Sequence, residues 1–270
     1  MDRLPAGKSN RKGKTMQPAV TNGEGNKKKP LTYRLIERLV RRFFPKYRLY
    51  GTENLPEEPC ILVGNHSQIY GPLVAELYMP RPHSTWCVGE MMNRKEVPAY
   101  AFRDFWSMKP RRLRWFYRLL SYLIAPLASF VLSNAHTTPV YRDTRILSTF
   151  RVSVGHLQAG TDLVIFPECA QPYHPVLCRF QEHFADLGPL YYKKTGTAVR
   201  FVPMYIAPRL KSVYFGAPVQ YRPEASAEEE RTRICETLAE SIIRLAAALP
   251  AHTVVPYLNI PKSRYPLNRS

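Results

Sequence analysis

Four short apolar runs in this 270-residue chain each end in residues suited to acid–base or anion chemistry. "CILVGN" leads to Asn65-His66, and "STWCVGE" ends at Gly89-Glu90. "TPVYR" ends at Tyr141-Arg142, and "DLVIFPE" ends at Pro167-Glu168. An imidazole ordinarily titrates near neutrality, so it can take a proton from a hydroxyl at physiological pH. A guanidinium holds an anion through a rigid fork of donors. A carboxylate can orient an imidazole and stabilise its charged form. One histidine, one arginine and two carboxylates therefore suit base catalysis on a hydroxyl, with an anion held nearby. Each signal is weak alone, because a single histidine after a strand also serves as a helix cap or a core hydrogen bonder. Their common position is what matters.

That position depends on the elements between them. After Pro45 the chain alternates strand-length apolar runs with helical stretches. Strands are expected at 46–51, 60–65, 84–90, 138–142, 162–168 and 200–207, with a last, bent one at 212–221. Helices are expected from Pro72, over 144–160 with a stop at Gly160, and over 226–249. Ser226 with Glu229 three residues on reads as a capping box for the last of these. The alternation predicts an α/β domain: a mixed, largely parallel sheet with helices on both faces. Ligands of such sheets bind beyond the carboxyl ends of the strands. If the four strands are parallel neighbours, His66, Glu90, Arg142 and Glu168 meet on one edge.

Net charge is +18, of which residues 1–30 carry +6. The folded part is therefore basic too, and a polyanionic partner is expected: nucleic acid, anionic lipid or a phosphorylated substrate. Residues 1–30 are polar and aperiodic and read as a disordered tail, either merely solvated or an electrostatic tether. Over 31–45, "LTYRLIERLVRRFF" places its apolar residues at three- and four-residue steps, with Arg34, Arg38, Arg41 and Arg42 off the stripe. This basic amphipathic helix suits an anionic membrane surface or packing on its own domain. The domain proper is read as 46–250, and 251–270 as a C-terminal extension.

Segment 111–134, "RRLRWFYRLLSYLIAPLASFVLSN", is basic and aromatic first and then almost wholly apolar. Its apolar part is shorter than the ~20 residues of a membrane-spanning helix, and Pro126 is expected to interrupt it. It reads as a peripheral membrane contact or as buried core. No recognition-module pattern accompanies the charge, and the basic residues sit among Phe, Trp and Leu, so lipid fits better than nucleic acid. Five cysteines without framework spacing and a polar start favour a reducing, cytosolic location. Cys169, His174, Cys178 and His183 have zinc-ligand chemistry but no Cys-x-x-Cys pair, so separate packing and surface roles are the plainer reading.

The chain resembles the glycerophospholipid acyltransferase family, typified by 1-acylglycerol-3-phosphate acyltransferases. "YRLYGTENLPEEPCILVGNHSQIYGP" looks like its first block, "HTTPVYRD" its second, "LVIFPECAQ" its third and "RFVPMYIAP" its fourth, in order, over about residues 47 to 248. The C-terminal "GAPVQYRPEASAEEERTRICETLAESI" also resembles the family's ending. The resemblance implies acyl transfer from a thioester, on coenzyme A or acyl carrier protein, to a hydroxyl of a membrane lipid or lysolipid, with no other cofactor and no metal. It implies His66 as base, Asn65, Arg142, Glu168 and Pro203 as acceptor-site residues, and action at the cytoplasmic face of a membrane as a peripheral protein.

Three departures stand out. The family's orienting Asp, five residues after the histidine, is Gly71 here. Glu90 and Glu168 are the expected replacements, since each ends a strand on the proposed edge. The third block has Cys169, Ala170 and Gln171 where the family has Gly, Thr and Arg, so its phosphate grip is missing. The second block reads Tyr-Arg-Asp where Asp-Arg is commoner. These departures fit a changed acceptor, or a lipid-binding or scaffold protein that keeps the fold without the catalysis.

Overall fold

The structure, a computed structural model, describes residues 29–106 and 110–269. The reading of 1–30 as a disordered tail lies almost wholly outside the described residues. The chain opens with α1 (Leu31–Phe43), then β1 (Arg48–Tyr50), β2 (Ile61–Gly64), α2 (Tyr70–Tyr78) and β3 (His83–Val88). Next come α3 (Val97–Ala101), α4 (Arg114–Asn134), β4 (Thr137–Val140), α5 (Ile146–Gln158) and β5 (Asp162–Ile165). The remainder is β6 (Glu168–His174), β7 (Leu177–Phe180), α6 (Leu187–Thr195), β8 (Arg200–Ala207), β9 (Ser212–Phe215), β10 (Val219–Gln220) and α7 (Ala227–Ala247).

The main sheet has the order β1-β9-β8-β2-β5-β3-β4, with β10 beside β8. From β8 to β4 every neighbouring pair is parallel, whereas β9 and β10 each run antiparallel to β8. This is the expected α/β class. Strand side chains alternate between faces. Ile61, Val63, Leu163, Ile165, Phe201 and Tyr205 pack with residues of α5, α6 and α7. Leu62, Val164, Val202, Met204 and Ile206 pack on the other face with Val74 and Ala75 of α2 and with Phe44 and Tyr47. Each fully buried side chain of this size contributes about 1.5–3 kcal/mol. The strands are thus held rigidly on both faces, and their ends carry the loops.

Local chemistry explains the boundaries. The Ser226 hydroxyl accepts from the Glu229 amide and the Glu229 carboxylate accepts from the Ser226 amide, so the expected capping box starts α7. Gly160, at φ 81°, takes the left-handed turn that ends α5. Three expectations need correction. The run 212–221 is two strands, because Gly216–Pro218 turns the chain so that β10 pairs with β8 instead of extending β9. The run 162–168 stops as a sheet strand at Ile165, and Glu168 opens the separate β6–β7 hairpin. Pro126 does not interrupt its helix: α4 passes through it unbroken.

With the single turn before it, Arg111–Asn134 forms 24 residues long and apolar enough to cross a membrane by length and composition, and 17% of its apolar window is buried. Trp115, Leu119, Tyr122, Leu123 and Leu127 of α4 are exposed. So are Leu31, Leu35, Leu39 and Phe43 of α1, each more than half accessible and four residues apart. Only Tyr33 of α1 is buried. Packing on the rest of the domain therefore uses a narrow side of α1 and leaves its leucine row uncovered.

Candidate active site

The parallel order β2-β5-β3-β4 brings Asn65-His66, Pro167-Glu168, Gly89-Glu90 and Tyr141-Arg142 to the same edge of the sheet. His66 and Glu168 leave adjacent strands. Arg142 leaves the strand three places from His66, a separation of about 14 Å at ordinary strand spacing.

The turn that carries His66 is tightly built. Asn65 is buried, and its amide locks onto the edge of β8: Nδ2 donates to the Ile206 carbonyl at 3.0 Å and Oδ1 accepts from the Ile206 N–H at 2.7 Å. Its Nδ2 also donates to Ser67 Oγ at 2.8 Å. Both donors are thereby used, so Asn65 holds the turn and has no N–H left for a substrate. Ser67 and Gln68 then adopt φ of 47° and 55°, a left-handed pair that costs roughly 1–2 kcal/mol per residue. The Gly71 amide closes the turn onto the His66 carbonyl at 3.0 Å. A Cβ at residue 71 would run into that same carbonyl oxygen and crowd the Phe166 ring. The missing Asp is thus a consequence of how this turn closes.

Glu168 does reach His66, but at its main chain. Glu168 Oε2 accepts from the His66 N–H at 2.6 Å, and Oε1 accepts from the Cys178 N–H at 2.8 Å. The hairpin folds the carboxylate beneath the turn, and both oxygens are committed there. Burial raises its pKa to about 7, with the two amide hydrogen bonds opposing. The expectation that Glu168 orients the imidazole is corrected accordingly: it holds the backbone of the histidine. Glu90 lies in the turn after β3, within electrostatic reach of Arg103 and Tyr141, and makes no hydrogen bond to the His66 ring. His66 Nδ1 is sealed from solvent without a hydrogen-bond partner. Burial lowers the pKa of the ring, partly offset by the main-chain groups of Gln68 and His66. The imidazole is therefore neutral at physiological pH. An orphaned buried nitrogen costs about 1–3 kcal/mol, and such atoms call for a functional reason.

Two aromatic rings wall the imidazole, both edge-on with centroids 5.5 Å away: Phe166, directly after β5, and Tyr257. Tyr257 belongs to the C-terminal extension, which is far from a loose tail. An antiparallel bridge between Thr253 and Leu267 closes residues 253–267 into a loop. Asn268 ties its base to α7 through the Ala246 carbonyl, and His252 bonds Tyr205 Oη at 2.9 Å. The tip covers the active turn: Gln68 Nε2 donates to the Leu258 carbonyl at 3.2 Å and to Tyr265 Oη at 3.0 Å. Arg142, exposed, acts electrostatically on Tyr257, as does Glu168. Pro203 is buried beside Val63, inside the sheet below the edge.

Sequence reasoning missed Phe166, Gln68, Tyr257 and Tyr265. Phe166 was readable as the residue after a strand, but the extension has no periodicity that signals a cover. The Cys169/His174/Cys178/His183 set does not assemble among the described residues: the His183 ring bonds Asp186, and His174 Nδ1 accepts from the Val176 N–H.

No family model matches the chain, and no curated protein matches it. Among solved structures it is similar to the crystal structure of the 1-acyl-sn-glycerophosphate (LPA) acyltransferase, PlsC, from Thermotoga maritima, with 19% identity, 81% of each chain covered and a TM-score of 0.46.

Proposed function

We propose that the protein is a lipid acyltransferase. It would move an acyl chain from a thioester, on coenzyme A or acyl carrier protein, to a hydroxyl of a lipid precursor. The observation that carries this reading is His66: a neutral imidazole, sealed at Nδ1 and walled by Phe166 and Tyr257, at the carboxyl end of a parallel strand. The four acyltransferase-like sequence blocks support it, since three of them supply the loops of this edge. With Nδ1 protonated, Nε2 takes the acceptor's hydroxyl proton as the oxygen attacks the thioester carbonyl. The carbon–sulfur bond then breaks, and the leaving thiolate recovers the proton from the imidazolium.

In this reading Arg142 binds an anionic group of acceptor or carrier. Glu168 and Asn65 are positioning residues acting through the His66 backbone. Cys169, Ala170 and Gln171 place no cation on the β6 arm, so an acceptor phosphate has fewer partners than in the resembling family. The uncovered leucine row of α1 and the Trp115–Leu127 face of α4, flanked by arginines, suit insertion into an anionic cytosolic leaflet.

A second reading, a lipid-binding or scaffold protein on this fold, is favoured by one observation: among the described residues no carboxylate bonds the imidazole. One experiment separates the two. Purified protein is incubated with acyl-coenzyme A or acyl carrier protein and a lipid extract, beside His66→Ala. Transfer that disappears in the variant supports the enzyme. No transfer with either donor, together with vesicle binding equal in both proteins, supports the scaffold.

A further inference from the structure

The opposite edge of the sheet carries a second cluster, unconnected with the proposed reaction. Glu76 comes from α2, His83 is the first residue of β3, and His136 directly precedes β4. One ligand atom from each lies within 4.8 Å of the others. His136 Nδ1 is 3.1 Å from Glu76 Oε1, and the His136 N–H donates to Glu76 Oε2 at 2.9 Å. The imidazoles of His83 and His136 are 5.3 Å apart between centroids.

His83 is the informative member. It is 8% exposed, and its Nδ1 lies 3.2 Å from the Arg81 carbonyl. A carbonyl only accepts, so Nδ1 carries the hydrogen and Nε2 carries a lone pair. That Nε2 is buried and has no partner. A ring that donates from one nitrogen to a backbone carbonyl and leaves the other free is how proteins present a histidine to a metal.

We propose that Glu76, His83 and His136 form a zinc site at the amino-terminal edge of the sheet, with water as fourth ligand. Two imidazoles and a carboxylate suit zinc better than magnesium or calcium, which prefer oxygen alone. Tetrahedral zinc needs about 3.4 Å between ligand atoms. The Glu76–His136 pair is already that close, and the His136 ring, about half exposed, lies beside that of His83. Lys29 is the competitor. Its ammonium lies 3.0 Å from Glu76 Oε1 and 3.2 Å from His136 Nδ1, holding the position of a cation. A dication displaces it, and Tyr33, which donates to Glu76 Oε1 at 2.7 Å, remains as the carboxylate's supporting bond.

The test is zinc titration of the full chain after chelator dialysis, against a chromophoric competitor, with cobalt(II) spectra alongside. The expected result is one zinc per chain and a tetrahedral cobalt spectrum without a thiolate charge-transfer band, since five free cysteines offer the rival ligands. Lys29→Met should tighten zinc by about tenfold or more, and His136→Ala should weaken it by roughly a hundredfold. Lys29→Met is the arm that does not depend on survival of a core variant, because Lys29 sits at the rim. No zinc uptake at micromolar metal, a thiolate band, or affinity unchanged by both substitutions would overturn the site.

Discussion

The two edges of the sheet each hold a glutamate and histidine chemistry, and they are built in opposite ways. At the carboxyl edge, Glu168 is buried against two main-chain amides, and its pKa is pushed up to about 7. At the amino edge, Glu76 is half-buried, yet its bonds to His136 and Tyr33 outweigh that burial and its pKa falls to about 2. Burial alone raises both. Partners with their own charge or acidic hydrogen decide the outcome, and main-chain dipoles do not match them. The histidines mirror this. His66 has an aromatic cage and, among the described residues, no acid bonded to its ring, which suits a transient proton carrier. His136 leans on a carboxylate, which suits a held cation.

The strongest way to break this contrast is to exchange the histidines' roles. His66→Ala should lower acyl transfer by about 10²–10⁴-fold while zinc affinity stays unchanged. His83→Gln should do the reverse. Loss of transfer in both would make the edges one functional unit and end the distinction.

The glutamates give the next largest effect, in metal-free protein. The pKa of Glu168 in the folded state lies above its unfolded value, so its contribution to stability is present at low pH and disappears as pH rises from about 4.5 through 7. Glu76 lies below its unfolded value, so its contribution is present above about 4.5 and disappears as pH falls toward 2. Each shift corresponds to about 3 kcal/mol. Urea unfolding across pH should therefore show the wild-type advantage over Glu168→Gln shrinking with rising pH, and that over Glu76→Gln growing. Parallel pH profiles for the two variants would contradict the assignment.

Gly71→Asp comes third. It restores the residue expected from the motif, yet its Cβ would strike the His66 carbonyl. Stability should fall by about 1–3 kcal/mol and transfer should fall with it. A gain in activity would show that the turn accepts an acid after all. The smallest effect belongs to the cover. Tyr257→Ala removes one wall of the cage and should lower transfer by roughly two- to tenfold, as the loss of an aromatic pair of about 0.5–1.5 kcal/mol suggests. Tyr257→Phe keeps the ring and should keep most of the rate, measured with short- and long-chain donors.

Much of the fold was legible because its signals are local. Apolar runs of strand length, the Ser226–Glu229 cap and the Gly160 stop depend on neighbours in the chain, and β8 spans the whole of its expected run while β5 stops three residues short of its own. The shared edge followed too, since parallel strands must all point their carboxyl ends one way. What stood behind the histidine did not follow. A strand end fixes where a side chain leaves the sheet and not which atom it bonds, so Glu168 could be placed beside His66 but not beneath its backbone. Pro126 misled because a proline breaks an isolated helix, whereas α4 runs through it unbroken.

By itself the sequence determined the sheet, its order of loops and the presence of His66 at their meeting point. Tertiary structure alone decided that Gly71 faces the His66 carbonyl, that Tyr257 returns from nearly two hundred residues away to wall the ring, and that Glu76, His83 and His136 converge. Those contacts join residues far apart in the chain. Periodicity and capping record only what a residue does with its near neighbours, and distant partners are set by how the packed layers close.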